Sequence, residues 1–304
     1  MPETLRETIK KTVRTHLLDH NGLAFGQCLT AVGWVGGTLP ELYEKDGMVE
    51  LSMADVAGGG IVAGAALAGR RPIYVIRYQG FNWFNAPIIL NYACKSKEMW
   101  SRPCPVFIRS VAMEGSIGPV AGSSHHSLYY RMPGVNIVSP MTSGEYREIY
   151  DHFMKHDDVM YVSEHRGAFG NDKELDDVIF DDSDIVLFPI SVTRFEAIKA
   201  SHILETMGIK ASILHQLWLK PFIVHDKWKE ILTRSKFGGL VLDDDYVDGV
   251  PRLLAHRLSY ETGKRIDVMG LDDRTAGFAP HLDNLPPSAD KIVERVLSLV
   301  RSTT

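Results

Sequence analysis

The sequence has 304 residues, 45% of them hydrophobic, and a formal net charge of −5 at neutral pH. A chain of this size can bury a substantial core, and its length favours two domains over one. Its acidic and basic residues are interspersed, without the basic stripe that marks a nucleic-acid-binding surface. We therefore expect a globular protein that does not bind nucleic acid.

The cysteines are few and far apart in the sequence, at Cys28, Cys94 and Cys104. They show neither the paired spacing of a zinc site nor the density of a disulfide-bonded secreted domain. The residues from Met1 to His16 are polar and charged, and no window reaches about 18 consecutive apolar residues. These features predict a cytoplasmic protein with no export signal and no membrane span.

Short apolar, β-branched runs alternate with longer helical patterns along the chain, which is typical of parallel sheets covered by helices. The predicted strands are 71–78, 104–111, 135–140, 159–164, 185–190, 210–216 and 238–243. The predicted helices lie near 55–69, 84–101, 143–156, 194–208, 225–235, 249–263 and 288–302. The predicted fold class is therefore α/β, with two doubly wound, mostly parallel-sheet domains.

An acidic, glycine-containing stretch separates the two halves of the chain. It runs from Gly167 to Asp184 and offers little material for a hydrophobic core, so it is the best linker candidate. We therefore predict a first domain over residues 1–172, an acidic linker over 173–184 and a second domain over 185–304.

The segment from Ser52 to Arg70 predicts an unusual helix made mostly of glycine and alanine. Each of the consecutive glycines from Gly58 to Gly60 costs a helix about 1 kcal/mol relative to alanine. We expect the close approach of another backbone or of a flat ligand to offset this cost. Asp55 stands at the start of this helix, where its carboxylate can either cap free N–H groups or face a pocket.

A dinucleotide-binding fingerprint is an alternative interpretation of the same glycines. Gly58, Gly60 and Ala63 follow the G-x-G-x-x-A spacing that admits a pyrophosphate to a helix N-terminus. These residues lie inside the helical pattern rather than in the turn before it, and the next predicted strand is followed by Gln79 rather than by an acid. The context therefore disfavours this alternative.

Adjacent histidines, His125 and His126, lie in a glycine- and serine-rich loop between Gly115 and Pro133. Loops at the carboxyl ends of parallel strands are where such folds place ligands, and histidine can act as an acid or base near neutral pH. A structural role, with one histidine bonded to the backbone, is the alternative. Metal binding is less favoured, because no Asp, Glu or Cys lies at ligand spacing beside them.

Two further residues are candidates for the same crevice. Phe81 lies in an aromatic cluster after the strand 71–78 and could stack on a flat ring, although core packing is the more frequent fate of such residues. Gln27 ends the first apparent strand, and it could line the crevice or serve only as a turn residue.

Several cofactor motifs are absent from the sequence. It contains no Walker A loop, no G-x-S-x-G elbow and no H-E-x-x-H helix. It also lacks Gly-Asp-Gly followed by a downstream Asn, since Asp46-Gly47 and Asp248-Gly249 both lack the leading glycine. A metal-held diphosphate site is therefore not encoded in this chain, and we expect it to hold no metal.

Taken together, these segments resemble the beta subunits of thiamine-diphosphate-dependent 2-oxo acid dehydrogenase first components and, more loosely, the second and third domains of transketolases. The resemblance runs over nearly the whole chain. It is carried by the order and spacing of the helix 54–69, the Phe81 turn, Asn91–Lys95, Pro105–Arg109, His126-Ser127, Pro133–Pro140, Leu217–Pro221 and the tail Met269–Val300.

The resemblance implies a pyrimidine-binding domain followed by a transketolase C-terminal-like domain. It further implies that thiamine diphosphate is the cofactor and that a separate alpha subunit holds its diphosphate and Mg²⁺. The expected assembly is an α2β2 heterotetramer with beta–beta contacts, and a lipoyl acyltransferase core is a further partner in the dehydrogenases.

The resemblance also assigns roles to single residues. A carboxylate at the position of Asp55 bonds the aminopyrimidine ring and so promotes loss of the thiazolium C2 proton. Phe81 stacks on the pyrimidine, Gln27 and Met53 lie beside it, and His126, with its neighbour His125, faces the substrate.

Three features depart from the family pattern. The family has Glu at the position of Asp55 and an acid at that of Gln27, and the loop from His126 to Pro133 is shorter here. Because a misplacement of about 1 Å can cost about 10²-fold in rate, Asp55 either acts from a shifted backbone or marks altered chemistry.

The function predicted from the sequence is that of a beta-type subunit of a heteromeric enzyme. This enzyme decarboxylates a 2-oxo acid and transfers the resulting acyl or aldehyde unit. A split transketolase-like carboligase is the first alternative, and a non-catalytic subunit of the same fold is the second.

Overall fold

The computed structural model describes residues 2–114 and 122–302. The contacts between residues divide this part of the chain into two compact units, one from 2–113 and 122–174 and the other from 175–302 together with Glu114. The loop from Gly115 to Pro133 that carries His125 and His126 is called the histidine loop below. Its first part, residues 115–121, lies outside the described residues.

Six parallel strands form the sheet of the first unit, in the order β2-β1-β3-β4-β6-β5. Their bounds are β1 Leu23–Gly26, β2 Met48–Glu50, β3 Pro72–Ile76, β4 Phe107–Ala112, β5 Val135–Val138 and β6 Val159–His165. Every residue of β3, β4 and β6 is buried, as expected for strands that are covered on both faces. The carboxyl ends of β1 and β3 lie side by side, because Gly26 pairs with Val75.

The helices of the first unit are α1 Leu5–Leu18, α2 Gly33–Gly37, α3 Asp55–Leu67, α4 Asn82–Ile88, α5 Cys94–Trp100, α6 Ser127–Tyr130 and α7 Ser143–Lys155. Helix α1 was not predicted, although it begins with a capping box: Thr4 Oγ1 accepts from Glu7 N, and the Glu7 carboxylate accepts from Thr4 N. The short α2 has a left-handed backbone at Trp34, Val35 and Gly36.

The predicted helix 84–101 is observed as three consecutive segments. Helix α4 passes into a π-helical turn, Ile89–Ala93, which continues into α5. Pro87 lies inside α4 and has no backbone N–H to donate. The N–H of Cys94 then reaches back to the carbonyl of Ile89, which is the wider spacing of a π-helix. Hydrophobic spacing alone did not predict this interruption.

The strands of the second unit are β7 Ile185–Pro189, β8 Ala211–Ile213, β9 Trp218–Lys220, β10 Gly239–Tyr246 and β11 Ile266–Leu271. Four of them pair in parallel, in the order β11-β10-β7-β8. Leu240 and Leu242 of β10 belong to a buried apolar cluster on one face of this sheet. Val241 lies between them and is also fully buried, so the opposite face is covered as well.

The helices of the second unit are α8 Thr193–Thr206, α9 Asp226–Arg234, α10 Val250–Thr262 and α11 Ala289–Arg301. Helices α8 and α11 supply the apolar cluster on the first face. Helix α11 is amphipathic, because Ile292, Val293 and Val296 are buried while Glu294 is exposed.

The predicted α/β fold class is confirmed, and every predicted strand and helix overlaps an observed element of the same kind. The strand predicted at 104–111 begins only at Phe107, after Pro105, which cannot donate to the sheet. Strand β11 was not predicted, because Asp267 and Gly270 interrupt its apolar pattern. Within 2–114 and 122–302, the structure has no helix that is long and apolar enough to cross a membrane.

Candidate functional site

A pocket lies at the carboxyl ends of β1 and β3, which is the edge where parallel α/β sheets bind ligands. It encloses about 420 Å³, counting its open mouth. Its lining consists of Gln27, Cys28, Met53, Asp55, Tyr74, Val75, Ile76, Arg77, Phe81 and Asn85. The structure therefore brings together all four residues that the sequence analysis assigned to the cofactor, namely Gln27, Met53, Asp55 and Phe81.

Asp55 is the first residue of α3, and its carboxylate is held by two side-chain amides. Its Oδ1 accepts hydrogen bonds from Gln27 Nε2 at 3.1 Å and from Asn85 Nδ2 at 3.0 Å. Its Oδ2 makes no hydrogen bond with any residue that the structure describes. Asp55 is therefore not a helix cap, since the residue before the helix is Ala54. One carboxylate oxygen stays available to a ligand in the pocket.

Asn85 is itself held in place by its neighbours. Its Nδ2 also donates to the carbonyl of Phe81 at 2.9 Å, and its Oδ1 accepts from the hydroxyl of Tyr74. Burial raises the pKa of Tyr74 well above its ordinary value, and the charge of Asp55 raises it further. Tyr74 is therefore a neutral donor at physiological pH. A continuous chain of hydrogen bonds runs from Tyr74 through Asn85 to Asp55.

The glycines of α3 allow this chain of hydrogen bonds to form. A Cβ atom on Gly58 would lie 2.9 Å from the Tyr74 hydroxyl, and one on Gly59 would lie 2.7 Å from the backbone oxygen of Asn85. The predicted close approach of another backbone is confirmed at Gly59, whereas Gly58 is approached by a side-chain hydroxyl. A Cβ on Gly60 would meet nothing within 4 Å, so the third glycine has no such explanation.

The dinucleotide alternative receives no support from the geometry. Gly58, Gly60 and Ala63 all lie inside α3 and not in the turn that precedes it. Ala63 is buried, and Gly58 faces Tyr74. Packing within the protein therefore accounts for Gly58 and Ala63 of the pattern that resembled a fingerprint.

Two apolar side chains complete the pocket. Phe81 ends a short 3₁₀ turn before α4, is half-buried, and has its ring 6.1 Å from that of Tyr78, centroid to centroid. Met53 precedes α3 and is 81% exposed. An aromatic face and a flexible, mostly exposed thioether thus contribute to the lining of the pocket.

The histidine pair is not part of the lining of this pocket. His126 is fully buried, and its Nδ1 lies 3.2 Å from Ser163 Oγ. The ring of His125 is 3.0 Å from Ser123 Oγ, and its backbone N–H donates to Gln79 Oε1 at 2.6 Å. Both histidines are therefore tied into the described part of the first unit.

Gln79 is the centre of a buried polar network at the end of β3. Its Nε2 donates to Ser163 Oγ at 2.8 Å and to the carbonyl of Ser110 at 3.1 Å. Its Oε1 accepts from the Tyr161 hydroxyl at 3.0 Å, in addition to the backbone of His125. This glutamine therefore contacts both the backbone of His125 and the serine that contacts His126.

Four pocket residues with a polar or thiol side chain were missed by the sequence analysis: Cys28, Tyr74, Arg77 and Asn85. Asn85 carried the clearest signal. It lies four residues after Phe81, so both occupy one face of the same helical stretch. Asparagine is unfavourable inside a helix, so its presence there indicates a specific contact. The only sequence signal for Tyr74 and Arg77 was their position, which is within a strand for Tyr74 and just after it for Arg77.

Residues 12–171, more than half of the chain, match the sequence profile of the transketolase pyrimidine-binding domain. The chain belongs to this family. The matched segment contains every residue that lines the pocket around Asp55, and the resemblance stated from the sequence is confirmed.

Three relatives of known name are similar to the chain at low identity. The beta subunit of acetoin:2,6-dichlorophenolindophenol oxidoreductase from Cupriavidus necator is 26% identical over 63% of this chain and 61% of its own length. The 2-oxoisovalerate dehydrogenase beta subunit of Bacillus subtilis is 25% identical over 74% and 73%. One subunit of the apulose-4-phosphate transketolase of Phocaeicola vulgatus is 27% identical over 63% and 67%. The chain therefore spans only about three fifths of the first relative.

Among solved structures, the fold is similar to that of a split-gene transketolase described as an inactive beta4 tetramer. The TM-score is 0.73, the identity is 17%, and the match covers 99% of both chains. At this identity the similarity establishes the fold alone.

Proposed function

We propose that this chain is a beta-type subunit of a heteromeric thiamine-diphosphate-dependent enzyme. The enzyme decarboxylates a 2-oxo acid and passes the resulting acyl or aldehyde unit to an acceptor. One observation carries the proposal: the carboxylate of Asp55 is held at one oxygen by two amides, while its other oxygen is available in the pocket that Phe81 lines.

The residues of the pocket fit the aminopyrimidine half of the cofactor. A flat ring with polar nitrogens needs an aromatic or apolar face and a hydrogen-bond acceptor. Phe81 supplies the face, Asp55 Oδ2 supplies the acceptor, and Gln27 and Met53 flank them. Thiamine diphosphate, when bound, supplies a carbon nucleophile and an electron sink.

In this proposal Asp55 Oδ2 would accept a hydrogen bond from the protonated ring nitrogen of the cofactor. Gln27 and Asn85 restrain the rotation of its carboxylate, because both donate to Oδ1. A positioned acceptor loses little free energy to reorganisation during the reaction. Asp55 has a shorter side chain than the glutamate of the family, and the two amides fix the orientation of its carboxylate.

His126 is the proposed acid–base group for the substrate, with His125 beside it. The contact between His126 Nδ1 and Ser163 fixes the orientation of the imidazole and leaves Nε2 on the opposite side of the ring. Its function in catalysis is a proposal from the family resemblance, and its test is the rate of the assembled enzyme after His126→Asn.

We also propose that a separate alpha subunit holds the diphosphate and its Mg²⁺, in an α2β2 assembly with beta–beta contacts. The sequence itself lacks the Gly-Asp-Gly…Asn motif. Exposed apolar side chains on α3 to α5 offer surface for such contacts. They are Val56, Ile61, Leu67, Trp83, Phe84, Met99 and Trp100. A lipoyl acyltransferase core is the acceptor partner of the dehydrogenase form.

The same proposal covers domain organisation and location. The boundaries 1–172 and 185–304 are those of the pyrimidine-binding and C-terminal domains, with the linker between them. The three cysteines are free thiols, which agrees with a reducing cytoplasm.

Calorimetric titration of thiamine diphosphate with Mg²⁺ tests the proposal, using this chain alone and the chain co-purified with its alpha partner. We expect binding only by the complex. Tight binding by the isolated chain contradicts the split site. A complete lack of binding by the assembled complex contradicts the enzymatic function and leaves the non-catalytic alternative.

A split transketolase is the second candidate, because one relative is a subunit of an apulose-4-phosphate transketolase. The two candidates differ in the acceptor of the two-carbon or acyl unit. With the assembled complex, reduction of an added lipoyl domain supports the dehydrogenase form, and ketol transfer to an aldehyde supports the transketolase form.

A further inference from the structure

Ser163 lies between two polar side chains near the carboxyl end of β6. Its Oγ is 2.8 Å from Gln79 Nε2 and 3.2 Å from His126 Nδ1. All three residues are fully buried, so their polar atoms need partners inside the protein. A hydroxyl has one proton to donate. The direction in which Ser163 donates therefore decides which ring nitrogen of neutral His126 carries hydrogen.

Two backbone groups fix the orientation of the Gln79 amide. Its Nε2 lies 3.1 Å from the carbonyl oxygen of Ser110, which can only accept a hydrogen bond. Its Oε1 lies 2.6 Å from the backbone N–H of His125, which can only donate one. Exchange of the amide nitrogen and oxygen would place acceptor against acceptor and donor against donor. The amide therefore has one orientation, in which Nε2 donates to Ser163.

The Gln79 amide in turn fixes the direction of the Ser163 hydroxyl. The two protons of Nε2 are directed at the Ser110 carbonyl and at Ser163 Oγ, so Ser163 accepts from Gln79 and cannot donate to it. Within 2–114 and 122–302, the other side-chain atom at hydrogen-bonding distance from Ser163 Oγ is His126 Nδ1. A buried hydroxyl proton without an acceptor is unfavourable. Ser163 therefore donates its proton to Nδ1 of His126.

The hydroxyl of Tyr161 shows that the donors of this network run in one direction. It accepts from Asn82 Nδ2 at 2.7 Å and donates to Gln79 Oε1 at 3.0 Å. Gln79 passes the same direction on through Nε2 to Ser163, and the sequence of donors ends at the ring of His126. Hydrogen bonds aligned in this way polarise one another, which strengthens the last of them.

We propose that Ser163 is a positioning residue that holds neutral His126 in the tautomer with hydrogen on Nε2. Because Nδ1 is an acceptor, the ring acts through Nε2 as a hydrogen-bond donor and not as a base. This donor stabilises the negative charge that develops on the carbonyl oxygen of the substrate, a step that rests on the proposed function. The tautomer itself does not depend on that function.

The test is ¹⁵N NMR of the full chain, labelled at histidine and free of cofactor. The two ring nitrogens of a neutral imidazole differ in shift according to which one carries hydrogen, and an ordinary histidine is neutral at about pH 8. The signals of His126 are identified by their loss in His126→Asn. In the wild type we expect hydrogen on Nε2 and none on Nδ1. Hydrogen on Nδ1 overturns the proposal.

Two serine-to-alanine variants test whether Ser163 is the cause. Ser163→Ala removes the donor to the ring, so the Nδ1 signal of His126 should move and the fraction of rings with hydrogen on Nδ1 should rise. Ser139→Ala is the matched control, because Ser139 is also fully buried but donates to the backbone carbonyl of Ser163 at 3.3 Å. It should leave the signals of His126 in place. Equal changes in both variants, or none in Ser163→Ala, overturn the positioning role. Circular dichroism checks that each variant is folded.

The activity of the assembled enzyme separates this inference from the proposed function. Ser163→Ala is expected to lower kcat about tenfold with a smaller change in KM, because the donor acts mainly on the transition state. Ser139→Ala should match the wild type. Full activity of Ser163→Ala would contradict the action of His126 on the substrate. Since the NMR measurement needs neither cofactor nor partner, failure of the thiamine proposal leaves the tautomer assignment unchanged.

Discussion

Asn85 donates a hydrogen bond to Asp55 across 3.0 Å, from a helix that follows the next strand of the sheet. The contact is possible because Gly59 has no side chain. A Cβ atom on Gly59 would lie 2.7 Å from the backbone oxygen of Asn85. Gly59, which has no side chain, thus allows the contact that orients the proposed catalytic carboxylate.

Replacement of Asp55 tests the chemistry directly. In the assembled complex, Asp55→Ala should lower C2 proton exchange of bound thiamine diphosphate by at least about 10²-fold, because the pocket loses its acceptor. Exchange is measured by NMR in deuterated buffer. Assembly should be intact by gel filtration, and an unchanged exchange rate would assign Asp55 a purely structural role.

The glycines of α3 provide a matched pair of variants. Gly59→Ala should lower the free energy of unfolding by about 1–3 kcal/mol, because its Cβ meets backbone that cannot move aside. Gly60→Ala meets open space and should be neutral or stabilising by up to about 1 kcal/mol. Urea denaturation measures both. Equal effects at the two positions would contradict the close approach of α3 and α4.

Removal of the Tyr74 hydroxyl should loosen the chain of hydrogen bonds at its far end. Tyr74→Phe leaves the Oδ1 of the buried Asn85 without its donor, and we expect a loss of about 1 kcal/mol in the free energy of unfolding. Tyr260→Phe is the control, since Tyr260 is 81% exposed. Slower C2 proton exchange in Tyr74→Phe, but not in Tyr260→Phe, would show that the effect reaches Asp55.

Stability should depend on pH through His16. Burial lowers the pKa of this histidine from 6.5 to about 4, and its Nδ1 lies 2.9 Å from the Tyr150 hydroxyl. The unfolded chain therefore takes up the proton first as the pH falls. The stability that neutral His16 contributes is complete above about pH 6.5 and is lost as the pH falls toward 4.

Between pH 7 and pH 5, the free energy of unfolding should therefore fall by about 2 kcal/mol more in the wild type than in His16→Gln. Urea titrations at the two pH values measure this difference. The exposed His202 on α8 supplies the control, and His202→Gln should retain the wild-type dependence. The same slope in His16→Gln would show that another group is responsible.

The elements of the fold could be predicted because they depend on local patterns. Buried strands such as β3 and β4 read as continuous apolar runs, and α11 shows its amphipathic spacing directly. The π-turn after Pro87 and the half-buried β11 were missed, because their form depends on packing rather than on periodicity.

The site was predictable only where residue type itself suggested chemistry. Asp55 and Phe81 stood out as an acid and an aromatic ring beside unusual neighbours. Tyr74 and Asn85 did not, because their contribution depends on contacts among β3, α3 and α4 that no spacing in the sequence encodes. Arg77 lies within the predicted strand 71–78, and only the folded structure places it in the lining of the pocket.

The contact between Gly59 and Asn85 also constrains how this gene can diverge. Any side chain at position 59 has to be accompanied by a displacement of α4, and that displacement would move the amide that orients Asp55. Positions 59 and 85 are therefore expected to change together or not at all among descendants of this sequence. Position 60, with open space around it, is expected to accept other residues.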